Sequence, residues 1–147
     1  MGGHFWFYFV PYQADIRRAL LELRDREFKA GRYNPVMRLP EFPVSEASPS
    51  PGAKHSSIAK ALAASGEAGT RCILDMNDVA ANSAHFVVAP FPEDRLRALY
   101  GTTQPTREAV DPDMEFSEEL ERGQGTYVVL YKDGRPDEIL FAGYSFD

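Results

Sequence analysis

The most constraining feature of the chain is a seven-residue run near its start, His4-Phe5-Trp6-Phe7-Tyr8-Phe9-Val10, with five aromatic residues in succession. Left uncovered, such a run would form a large apolar patch, so it reads as a strand buried on both faces. That reading places it centrally in a sheet. Side chains alternate across a strand, so His4, Trp6 and Tyr8 share one face and Phe5, Phe7 and Phe9 the other. The all-phenylalanine face is expected to meet helices. The face with polar tips suits core packing, cover by a loop, or a ligand or partner surface.

The rest of the chain must supply the cover. Its 147 residues suffice for one domain with a real core and are too few for two. From Gln13 to Ala30 the residues Ile16, Ala19, Leu20 and Leu23 recur at helical spacing, with Asp15 as cap and Gly31 as stop. Residues 32–55 keep no period and carry Pro35, Pro40, Pro43, Pro49 and Pro51, which predicts a long loop with its loosest part at 45–53. Ser56 or Ser57 caps a second helix through Ile58 and Leu62 that closes at Gly66. Strands are expected at 70–75 and 85–89, with turn chemistry from Asn77, Asp78, Asn82 and Ser83 between them. Pro92 opens a short helix ended by Gly101, Pro105 opens another turn, and Pro112 starts an acidic helix over 111–121. Strands at 126–131 and 139–142 flank Asp133-Gly134, a strong hairpin signal. The expected architecture is therefore a single α+β domain over 1–147. It has a mainly antiparallel sheet of about five strands with helices packed on it, on a split βαβ (ferredoxin-like) plan plus a C-terminal hairpin strand.

Charge narrows the function classes. Lys and Arg number 16 and Asp and Glu 22, for a net −6, and six acids between Asp111 and Glu121 account for all of it. An acidic chain lacks the positive face that phosphate backbones require, which argues against nucleic acid as a partner. No apolar run approaches a membrane span, no signal peptide is expected, and the single Cys72 excludes an internal disulfide. A cytoplasmic protein is the expectation.

Two constellations could carry function. On the first helix Glu27 falls in the middle of the apolar stripe, where a carboxylate must neutralise itself or find a buried partner. Arg32, Arg71, Tyr8 and Tyr33 are the candidates, and with His55 and Trp6 they outline a pocket for an anionic small molecule. The plainer reading leaves Glu27 at the rim of the core. The second constellation is the acidic segment, where Glu115, Glu118 and Glu119 are interleaved with Met114, Phe116 and Leu120. It can steer and dock a basic protein. Solvation alone would also explain it. His4, His55 and His85 have no metal-ligand spacing, Cys72 reads as a small core residue, and the chain carries no phosphate loop or nucleophile elbow. No catalytic set, metal or cofactor is expected.

The phrases Gly31-Arg32-Tyr33-Asn34-Pro35, Gly69-Thr70-Arg71-Cys72-Ile73-Leu74-Asp75, Gly101-Thr102-Thr103-Gln104-Pro105 and Gly143-Tyr144-Ser145-Phe146-Asp147 stand out together. With them the chain resembles, over nearly its full length, a family of small uncharacterised bacterial proteins. That resemblance implies a bacterial, single-domain protein and transfers no catalytic residue. The expected function is a non-enzymatic protein-binding module of immunity or regulatory type, with a homodimer through exposed strand edges open to it. The alternative is a small enzyme or ligand-binding domain built around Glu27, Arg32 and Arg71.

Overall fold

A computed structural model of the protein describes residues 3–33 and 55–146, so most of the proline-rich loop expected at 32–55 lies outside the described residues. The chain runs β1 (Phe5–Pro11), α1 (Ile16–Lys29), α2 (Ile58–Ser65), β2 (Asp78–Val79), β3 (Val87–Pro90), α3 (Glu93–Tyr100), α4 (Arg107–Val110), β4 (Gly125–Lys132) and β5 (Arg135–Tyr144). Short 3₁₀ turns at Ile73–Asp75 and Glu115–Glu119 join them.

The five strands form one sheet in the order β1-β5-β4-β3-β2. Both β1 and β4 run antiparallel to β5, while β4–β3 and β3–β2 are parallel, so the sheet is mixed rather than mainly antiparallel. Nor is the first strand central, as the split plan would have it; β1 is an edge. The strand buried on both faces is β5, where Ile139, Leu140, Phe141 and Ala142 are all inaccessible. Asp133 and Gly134 both adopt positive φ, 53° and 74°, which is the twist a tight hairpin between right-twisted strands requires.

Helices cover both faces of the sheet. On one, Ala19, Leu20 and Leu23 of α1 pack against Trp6, Tyr8, Val10, Ile139 and Phe141. On the other, Leu96, Val110, Met114 and Phe116 pack against Val128, Leu130, Leu140 and Ala142. Both faces of β1 meet helix-bearing clusters, Trp6 and Tyr8 with α1 and the phenylalanines with the cluster of α3 and α4, but the phenylalanine face is the less deeply covered. Trp6 and Tyr8 are the buried residues, and Phe5, Phe7 and Phe9 are only half covered. The reason is local. Next to Trp6 in the register stands Gly143, itself paired with Gly125, and the indole lies across both. A Cβ at Gly143 would come within 2.5 Å of the indole. The phenylalanines largely cover one another, with ring centroids 5.7 Å apart for Phe5–Phe7 and 6.0 Å for Phe7–Phe9, and Arg107 lies 3.8 Å over the Phe9 ring.

Two further expectations give way. Residues 70–75 form a loop and a 3₁₀ turn instead of a strand, and the short β2 lies where turn chemistry was expected. The acidic stretch 111–121 is not a helix either. Met114 turns left-handed at φ 49°, which breaks any helix started at Pro112, and only the Glu115–Glu119 3₁₀ turn follows. No described helix is long and apolar enough to cross a membrane.

Candidate functional site

The end of α1 is built by its backbone. Gly31 adopts φ 72°, the Gly31 N–H donates to the Phe28 carbonyl and the Arg32 N–H to the Glu27 carbonyl, closing a Schellman cap. That reversal brings the Arg32 side chain back over Glu27. Glu27 is fully buried, and both its carboxylate oxygens accept from Arg32: Nε at 3.0 Å from each and Nη2 at 2.6 Å from Oε2. Arg26 Nε adds a contact at 3.2 Å. A doubly bonded, solvent-free carboxylate of this kind ties Arg32 to the end of α1.

Around this pair stand other buried polar groups. Tyr33 stacks on Phe28 with centroids 5.5 Å apart, its hydroxyl lies 3.0 Å from Nδ1 of His55, and it accepts from the His55 N–H at 3.2 Å. Tyr8 sends its hydroxyl into the interior, where it finds no hydrogen-bond partner among the described residues. Burial above all, then the proximity of Cys72 and Glu27, hold the Tyr8 phenol well above its ordinary range; the Ile73 N–H approaches without reaching bonding geometry.

The loop from Gly69 to Asp75 closes on a single carboxylate. Asp75 Oδ1 accepts from the Thr70 N–H at 2.6 Å and the Thr70 hydroxyl at 2.7 Å, and Oδ2 accepts from the Arg71 N–H at 3.0 Å. With its one proton given to Asp75, the Thr70 hydroxyl accepts from the Cys72 thiol 3.1 Å away. Arg71 pays in backbone strain, with φ 59°, and Gly69 leaves room that a Cβ, 2.7 Å from Asp75 Oδ2, would fill. Burial raises the Asp75 carboxyl, against the pull of those donors and Arg24. Burial and then Asp75 push the Cys72 thiol up to about 12, so at neutral pH it is no nucleophile.

The fold therefore brings Glu27 to Arg32 and Tyr33 to His55, and sets Tyr8 near Glu27. Trp6 is spent on the glycines, its Nε1 buried without a hydrogen-bond partner among the described residues. Arg71 serves the loop through its backbone. Sequence reasoning missed Arg26 and the Thr70–Cys72–Asp75 set. The strand-like alternation of Cys72 and Leu74 masked a signal that was present, a Gly-Thr turn followed by an Asp able to accept from its backbone.

The described surface has a cleft of about 470 Å³ along Asp15, Arg18, Leu21 and Asp25, and another of about 260 Å³ beside Leu62, Glu67, Phe86 and Phe146. Glu27 lines neither. Among the described residues no three of His, Cys, Asp and Glu gather as a metal site would require.

At the acidic segment, Met114 and Phe116 are buried and anchor the turn. The 3₁₀ geometry repeats every three residues, so Glu115 and Glu118 align on one exposed side while Glu119 falls over Arg95. Arg95 Nε donates to both Glu119 oxygens, at 3.1 and 2.9 Å, and holds that carboxyl below its ordinary value. The Tyr100 hydroxyl accepts from the Phe116 N–H at 3.2 Å, tying α3 to the turn. Glu115 and Glu118 make no ion pair among the described residues. Compared with known proteins, the chain matches no protein-family model, no curated protein and no solved structure.

Proposed function

We propose that the protein is a non-enzymatic protein-binding module of the cytoplasm, of immunity or regulatory type, that docks a basic partner through its acidic segment. One observation carries this reading: Glu115 and Glu118 face solvent side by side on a turn anchored by buried Met114 and Phe116, with no cation of the described chain against them. Held carboxylates steer and orient a basic surface without the ordering cost of a loose tail. Glu119 acts from behind, through Arg95, by fixing the turn. The buried pairing of Glu27 supports the same reading, since it withdraws the carboxylate best suited to acid–base work.

The test is affinity capture from the cells that make the protein, with the wild type and the E115K/E118K variant as parallel baits. The reading expects a basic protein retained by the first and lost by the second, with both baits equally folded by circular dichroism. Equal capture by both, or no specific partner, would sink it.

A second reading, a ligand-binding domain or small enzyme taking an anionic molecule near Glu27, Arg32 and Arg71, has one observation in its favour, the unsatisfied Tyr8 hydroxyl. Titration with inorganic phosphate, followed through the His55 ring resonances, separates the two. Saturable shifts that Y8F abolishes would favour the second reading.

A further inference from the structure

We propose that the free edge of β1 is a self-association surface, on which a second copy of this chain pairs its own β1 antiparallel about a two-fold axis at Phe7. The phase of the ladder decides what that edge offers. Ser145 donates to the His4 carbonyl at 2.9 Å and Tyr12 to the Asp137 carbonyl at 3.0 Å, in the same register that pairs Phe5 with Tyr144 and Pro11 with Glu138. Bonded pairs alternate in an antiparallel ladder, so the even-numbered residues of β1 face β5. Phe5, Phe7 and Phe9 therefore turn their N–H and C=O groups outward, where no described residue meets them.

The two ends of the sheet are finished differently. At the far end β2 is two residues long, and its Asp78 is paired with Arg17 at 3.3 Å; short and charged, it is a guarded edge. The β1 edge has seven residues, no charged side chain from Phe5 to Ala14, and a proline only at its last position. It lacks the devices that stop strands from pairing.

A second copy fits this edge for two reasons. The edge is self-complementary: a dyad at Phe7 sets Phe7 against its equivalent and Phe5 against Phe9, each opposed pair exchanging two backbone bonds. The half-covered phenylalanines of both copies then join in one ladder on one face. Charge also selects it. The acid excess that would repel a copy lies at 111–121, whereas the stretch from Phe5 to Ala14 carries no charged side chain and brings no like charges together.

Sedimentation velocity on the full chain tests the proposal between about 1 µM and about 500 µM, the range suited to an interface near or below about 1,000 Å². The wild type is expected to pass from monomer to dimer. F7K and F7E are each expected to stay monomeric, because like charges would meet at the dyad, and an equal mixture of the two is expected to recover the dimer. A wild type that stays monomeric, single variants that still dimerise, or a mixture that does not, would overturn it. Hydrogen exchange on the wild type stands independently of the variants. The amides of Phe5, Phe7 and Phe9 should slow as concentration rises, and unchanged rates would overturn the proposal, as would a strand from some other protein found on that edge of a monomer.

Discussion

Glu27 shows how one residue can be visible in a sequence and still have its role decided by geometry. Its place on the apolar stripe is read directly from spacing. That Arg32 returns to it depends on the left-handed Gly31 and two backbone bonds, which no count of helical positions contains. Arg32→Ala would leave the carboxylate buried with Arg26 as its one ion-pair partner among the described residues, at an expected loss of about 2–4 kcal/mol in urea unfolding. A loss below about 0.5 kcal/mol, the range of an ordinary surface substitution, would contradict the anchoring role. Cys72 and Tyr8 make a second prediction, with a definite sign. Their folded-state values lie above their ordinary ones, so as pH rises the unfolded chain gives up these protons first. The stability they contribute is complete below about 9, the ordinary thiol value, and is lost progressively as pH climbs toward the folded thiol value of about 12. Urea midpoints measured from pH 8 upward should fall, and C72A and Y8F should each flatten the slope. The native thiol should resist alkylation at pH 8 and react once the chain is unfolded.

Elements with strong local signals were legible. The cap at Asp15, the stop at Gly31 and the Asp133-Gly134 hairpin all stand where the residues put them, since each depends on chemistry within a few positions. Others were decided at long range. Thr70 to Asp75 has strand-like alternation, yet Asp75 takes up the backbone donors that a neighbouring strand would have used. The acidic stretch has helical composition, and Met114 and Phe116 enter the core only through the left-handed break. The run from Phe5 to Phe9 looked central because both faces are aromatic, whereas this edge strand buries Trp6 and Tyr8 on one face and leaves its phenylalanines half covered on the other. Its indole makes a prediction at this scale. Gly143→Ala would set a methyl 2.5 Å from the Trp6 ring and 2.6 Å from the Gln124 carbonyl, and the backbone atom has little freedom to yield. The expected penalty is about 1–3 kcal/mol, with a change in tryptophan fluorescence. An unchanged midpoint and spectrum would mean the indole is not seated there.

For the whole molecule, the fold divides its labour. A mixed sheet with helices on both faces holds the buried carboxylates of Glu27 and Asp75 in closed partnerships, and the chain's excess of acid is concentrated in the stretch 111–121. Of the residues the sequence groups as a pocket, Glu27 pairs with Arg32 at the end of α1 and Tyr33 meets His55, while Glu115 and Glu118 stand exposed on a 3₁₀ turn where a helix was expected. If docking is what they serve, their effect lies in the encounter, because rim charges act chiefly on association rate. The most direct measurement is the association rate constant of the captured partner across a salt series. The account predicts a rate that falls steeply with ionic strength, and an E115K/E118K variant about tenfold slower at low salt with its dissociation rate little changed. A rate indifferent to salt and to both substitutions would contradict it.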